Sequence, residues 1–138
     1  MKTLRERITK IHRHAWLWEP LEAEAGFVLR TMFGAKAAYL DGRLVLCFCA
    51  GAEPWRGVLV PTDRAHHDAL RAEFPDLEVH SVLTKWLYLP ETADAFERIA
   101  QTLVRLARRR DPRIGVLPQP KKRRSRAVVV RPPSRRSR

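Results

Sequence analysis

Leu44-Val45-Leu46-Cys47-Phe48-Cys49 is apolar at every position. A strand apolar at both parities has both faces covered, so this run predicts the buried centre of a sheet. Asp41-Gly42 stands just before it, after Ala35 to Leu40. Asp-Gly between two apolar runs predicts a tight hairpin, because such turns need positive φ. Gly57-Val58-Leu59-Val60 reads as the next strand, ended by Pro61, with a Gly- and Pro-containing loop over residues 50–56. Short loops between consecutive strands give an antiparallel meander. Leu77 to Leu83 alternates partly, with Leu77, Val79, Ser81 and Leu83 opposite Glu78 and His80, and residues 85–89 form a further aromatic-rich strand before Pro90.

Helical spacing surrounds these strands. Thr3 and Glu6 form a capping box ahead of Leu4, Ile8, Ile11, Ala15 and Trp18, one stripe of an amphipathic helix that Pro20 stops or kinks. Leu21 to Ala25 reads as a short helical turn ended by Gly26, and residues 27–29 lead into the sheet. Thr62 or Asp63 caps a helix through about Glu73, with Leu70 and Phe74 inward and Pro75 closing it. The clearest helix follows Pro90, with Phe96, Ile99, Leu103 and Leu106 as its stripe and Ala100 and Ala107 beside them. Together these elements predict an α+β fold: one small domain over residues 1–117, with an antiparallel meander of about five strands flanked by helices.

Charge changes this picture at one end. Residues 1–104 hold 13 Lys and Arg against 14 Asp and Glu, a net of −1, whereas residues 105–138 hold 14 basic residues against Asp111 alone, a net of +13. Residues 118–138 carry four prolines, nine basic residues and no acid, with Ala127 to Val130 as the one apolar run. Such a segment cannot offset its ordering entropy and is expected to be disordered alone. Its cations, Lys121, Lys122, Arg123, Arg124, Arg126, Arg131, Arg135, Arg136 and Arg138, are the candidate nucleic-acid contacts. Counterion release would drive that contact without base specificity, for DNA or RNA alike. The plain alternative is a solubilising tail.

Chemistry is sparse. Cys47 and Cys49 sit two apart on one strand, point the same way and are badly placed for a bridge, so free core thiols and a reducing cytoplasm are expected. Burial in an apolar strand would make them inert as nucleophiles. His12 and His14, two apart on the first helix, would lie on nearly opposite faces. Nothing in their spacing to the cysteines matches a structural zinc motif, and no hydrolase or phosphate-loop signature occurs. A non-enzymatic protein with no cofactor and no metal is therefore expected. Trp16, Trp18, Trp55 and Trp86 could stack on bases, although a Trp in a small domain is more often core. Trp55, in its loop beside Arg56, is the candidate interaction surface for a protein partner. Charges interrupt the first residues, so no signal peptide is expected, and no apolar run is long enough to span a bilayer.

Met32-Phe33-Gly34, then Tyr39-Leu40-Asp41-Gly42-Arg43, then Trp86-Leu87-Tyr88-Leu89-Pro90-Glu91 form an ordered set. That set resembles the N-terminal domain of the TfoX/Sxy proteins, bacterial regulators of competence for DNA uptake, over roughly residues 20 to 107. The resemblance implies a meander sheet with flanking helices, similar to the YjbR-like fold, and a regulatory or adaptor role without known catalytic activity. No catalytic residues carry over. Ala35 stands where a second glycine often follows in the family, and the basic tail stands where the long regulators carry a second, helical domain.

Overall fold

In the computed structural model, which describes residues 12–32 and 34–118, Asp41 and Gly42 both take positive φ, 54° and 82°. This is the two-residue turn the Asp-Gly pair predicts, and it joins β2 (Ala35–Leu40) to β3 (Arg43–Ala50). Before them runs β1 (Phe27–Met32), longer than the three residues its sequence suggested; β4 (Arg56–Val60) follows. A 3₁₀ turn (Arg64–His66) is capped by the Asp63 side chain, which accepts from the N–H of Ala65. It leads into α2 (His67–Glu73), and α1 (Ala15–Glu22) lies upstream. Two further strands, β5 (Glu78–Val79) and β6 (Leu87–Pro90), precede the long α3 (Phe96–Arg108).

The six strands form one antiparallel sheet in the order β1-β2-β3-β4-β6-β5. The α+β architecture is thus as expected, with one strand more than the five anticipated. The meander holds through β4, after which β6 inserts between β4 and the two-residue edge strand β5. No helix among the described residues is long and apolar enough to cross a membrane.

Every residue from Leu44 to Cys49 is buried, as a two-faced strand requires. One face joins Leu17, Trp18 and Leu21 of α1, Leu70 of α2, and Phe96, Ile99, Leu103 and Val104 of α3 to Leu46, Phe48, Val58, Val60, Leu87 and Leu89. Each such side chain contributes about 2 kcal/mol when removed from water. The other face is small and thiol-rich, with Ala35, Ala37, Cys47, Cys49, Leu59 and Tyr88 lying under Trp55, Leu83, Trp86 and Val116. Ala38 pairs with Leu46 and Tyr39 with Leu44, leaving Val45 as the extra residue of a bulge. Hence Val45 and Leu46 both face the helices while Leu44 faces away.

Several expectations are corrected. Pro20 does not stop the helix: α1 runs through it to Glu22, absorbing part of the second helical turn. The proline has no N–H for the carbonyl of Trp16, but both residues are exposed there, and Leu21 beyond it is fully buried. Leu77 to Leu83 is not an alternating strand, because Val79 is exposed and His80 is buried. Lys85 and Trp86 lie in a turn before β6. On α3 the buried fourth position is Val104, and Leu106 is half-buried. The capping box at Thr3 and the tail cations from Lys121 onward lie outside the described residues.

The charge boundary also moves. Arg105, Arg108, Arg109, Arg110 and Arg113 belong to α3 and the turn after it, so only nine of the fourteen C-terminal cations lie beyond Pro118. Adding those five to the thirteen upstream gives eighteen basic residues against fifteen acids through Pro118. Four of these cations and one of these acids fall in residues 1–11, outside the described residues, so the described fold balances fourteen basic residues against fourteen acids.

Candidate functional site

The chain immediately before α1 bends into a turn, and this places His12 and His14 together. His12 Nδ1 accepts a 3.0 Å hydrogen bond from the backbone N–H of His14. The two rings lie 5.5 Å apart, with His12 against Trp18 and His14 against Phe96. Both histidines therefore turn inward, and the opposite-face placement expected for a continuous helix does not occur.

Glu91, at the end of β6, meets this turn from the far side of the chain. Arg13 lies 2.6 Å from Glu91 Oε2 and the Nε of Arg56 lies 3.0 Å from Oε1. The backbone N–H of Glu91 donates to the carbonyl of Arg56, fixing β4 against this corner. His14 Nε2 is 4.0 Å from Glu91 Oε1, too far for a hydrogen bond. His12 Nε2, His14 Nε2 and Glu91 Oε1 are all buried without a hydrogen-bond partner among the described residues. Most buried polar atoms are satisfied, which makes three unsatisfied ones at one corner informative.

An open hollow of about 560 Å³ lies over this corner, between the start of α1 and the β6–α3 turn. Arg13, His14, Trp16, Glu91 and Arg98 line it, as do the first residues of α3, whose N-cap Ala95 supplies no side-chain cap. Burial lowers the pKa of His14 to about 4 against a weaker opposing pull from Glu91, and burial lowers that of His12 as well. At neutral pH the imidazoles are uncharged hydrogen-bonding groups beside a carboxylate already matched by two guanidinium groups. The corner can bind a polar group; no nucleophile is placed there.

The thiols are on the other face of the sheet from these imidazoles. Burial pushes the Cys49 thiol up to about 12, and Cys47 is raised further by burial and by its neighbour. Among the described residues no group of three His, Cys, Asp or Glu side chains is arranged to hold a metal ion.

Trp55 and Arg56, the candidate interaction surface, are both half-buried. Trp55 packs against His80 with ring centres 4.6 Å apart and planes tilted by 55°, beside the second core cluster, because its Pro- and Gly-containing loop folds back on the sheet. Arg56 is drawn to Glu91. Beneath Trp55, His80 donates from Nε2 to the carbonyl of Pro54, and its Nδ1 lies 3.1 and 2.9 Å from the N–H groups of Val82 and Leu83. The Tyr88 hydroxyl accepts from Arg56 N–H and lies 2.7 Å from both Glu53 Oε1 and the Arg56 carbonyl. Burial, then the bond to Glu53, raises the Tyr88 pKa. Neither the His14 corner nor this knot is visible in residue spacing, since each joins residues far apart in the chain.

No family model matches this chain, and no curated protein or solved structure matches it.

Proposed function

We propose that this protein is a cytoplasmic, non-enzymatic regulatory or adaptor domain of the TfoX-N-like type that contacts nucleic acid through its basic C-terminal segment. The observation that carries this reading is the density of cations at Lys121 to Arg126 and Arg135 to Arg138. Phosphates attract such clusters by charge and counterion release, and arginine forks suit phosphate oxygens. The TfoX-like part of the reading rests on the order of Met32 to Gly34, Asp41-Gly42 and Trp86 to Glu91. Their places are the β1–β2 turn, the β2–β3 turn and the strand entering α3.

Binding to duplex DNA and to RNA at several salt concentrations tests it, comparing the full chain with one ending at Leu117. Loss of affinity and a shallower salt slope in the shorter chain are expected. An unchanged affinity and slope would remove the tail from the function.

A second reading, a protein-interaction module with an incidental tail, has one observation in its favour. Among the described residues β1 pairs only with β2, so a six-residue edge carrying the exposed Val28 is open to a partner strand. Partner capture that survives removal of the tail but is lost on placing a proline in β1 would favour it.

A further inference from the structure

The folded part holds cations that the tail does not account for, and they are not scattered. On α3 and at its C-cap, Arg98, Arg105 and Arg109 are exposed. At about 100° per residue, positions seven and eleven further along return to within roughly 20° of Arg98, so the three form one stripe. At about 1.5 Å per residue the stripe runs roughly 16 Å. None of the three has a carboxylate within ion-pair distance among the described residues, whereas Arg108 and Arg110 are held by Glu24 and Arg113 by Asp111 and Glu73. Arg105 is steadied by donating to Thr102 Oγ1 at 3.0 Å. The acid nearest in the helix, Glu97, lies about 100° round from Arg98.

Beside this stripe stands Trp16 of α1, 39% exposed where the neighbouring Leu17 and Trp18 are buried. Trp16 divides two hollows. One also carries Arg98 and the Arg13–Glu91 ion pair, with Asp94 and Glu97 on its rim; the other, of about 190 Å³, carries Pro20, Gln101, Arg105 and Arg108 and no carboxylate. An exposed indole with the guanidinium groups of Arg98 on one side and Arg105 on the other combines a stacking face with phosphate partners. That is the physical requirement for holding a single strand of nucleic acid, because every base has a face to stack and every step has a phosphate. A duplex offers the phosphates but keeps its bases stacked away from the indole.

We infer that α3 and Trp16 form a second, ordered nucleic-acid surface that takes single-stranded DNA or RNA, with Trp16 stacking a base and Arg98, Arg105 and Arg109 contacting the backbone. This inference rests on the nucleic-acid reading above. At about 3.4 Å per stacked nucleotide the stripe covers roughly five nucleotides.

The test is a set of anisotropy titrations of the full chain against an oligothymidylate of about a dozen nucleotides, a duplex and heparin, over a range of salt. Trp16→Ala is expected to weaken single-strand binding about tenfold, the scale of one stacked base, while leaving duplex and heparin binding within about twofold. Trp16→Phe, which keeps an aromatic face, retains most of the affinity and controls for folding, with circular dichroism of each variant alongside. The triple variant Arg98→Gln, Arg105→Gln, Arg109→Gln is expected to lower the salt slope for a single strand by about two, at roughly 0.7 per phosphate released. Single-strand binding with unchanged affinity and slope in these variants would overturn the inference, as would equal losses on heparin. Binding that survives them but falls when Lys121 to Arg126 are neutralised to Gln leaves the tail reading standing and removes this one. A full chain that binds no nucleic acid removes both.

Discussion

His80 and His14 are equally buried, 1% and 3% exposed, yet they occupy opposite kinds of site. His80 has both ring nitrogens engaged, Nε2 by Pro54 and Nδ1 by Val82 and Leu83. It closes the loop before β4 onto the loop before β6 and lies under Trp55. His14 has its Nε2 unmatched, lies 4.0 Å from a carboxylate oxygen that is ion-paired to Arg56 but accepts no hydrogen bond, and lines an open hollow. The first is a structural knot with no bonding capacity left; the second is a polar corner with capacity to spare. Burial alone does not separate a supporting histidine from an available one. The accounting of donors and acceptors does.

The two sites meet at Arg56 and Gly57, where β4 crosses β6, so the most severe perturbation is one that strikes both. Gly57 has φ of 146°, and a Cβ there would overlap the carbonyl oxygen of Leu89. Gly57→Ala is expected to cost about 4 kcal/mol or more, or to prevent folding. Urea denaturation measures it, and a loss under about 1 kcal/mol would show that the crossing yields freely.

His80→Ala comes next. It strands two backbone N–H groups and a carbonyl, for a loss of about 3 kcal/mol or more at neutral pH. His14→Leu, by contrast, replaces an unmatched group with an apolar one and should change stability by about 1 kcal/mol or less at that pH. Similar losses for the two substitutions would erase the distinction drawn between them.

Acid separates them again. Burial holds the folded His14 near 4, below the 6.5 of the free side chain, so between these values the unfolded chain binds a proton that the folded chain refuses. The contribution of His14 is complete above pH 6.5 and is lost as pH falls toward 4, at about 1.4 kcal/mol per unit and about 3 kcal/mol in all. His12, also lowered by burial, acts in the same direction. Stability measured from pH 7 down to 4 should fall less steeply in His14→Leu than in the unaltered chain; parallel curves would place the acid sensitivity elsewhere.

An effect smaller than that of His80→Ala is expected at Tyr88→Phe, which removes the hydroxyl bonded to Glu53 and Arg56 and should cost about 1 to 2 kcal/mol. An unchanged midpoint in urea would mean that Glu53 and the Arg56 backbone find water as readily as the hydroxyl.

Sequence patterns reach the strands and helices whose neighbours are close in the chain. Leu44 to Cys49 reads as two-faced because both parities are apolar, and Asp41-Gly42 reads as a turn because both residues tolerate positive φ. Periodicity fails where a polar residue goes inward for its hydrogen bonds. His80 breaks the alternation of residues 77–83 because its ring finds three backbone partners that no hydropathy pattern encodes. Pro20 misleads for the opposite reason: its lost hydrogen bond falls on the exposed side, and burial of Leu21 carries the helix onward. The His14 corner was illegible because Glu91 and Arg56 come to it from other strands. The arginine stripe of α3 was hidden by a charge boundary drawn through the middle of the helix.

One feature at the end of the fold bears on how the protein is made. Ile114 is buried in the main core, Val116 pairs with Leu44, Gly115 donates to the Pro61 carbonyl, and Arg43 reaches back to the carbonyls of Ile114 and Gly115. Thr62 completes the clasp by donating to the carbonyl of Arg113. A nascent chain that has emerged only as far as α3 leaves Leu44 without its Val116 bridge and the Ile114 site vacant. Loop closure across so many residues is entropically slow, so the sheet is sealed late in synthesis, after the long arm from β3 has been spanned.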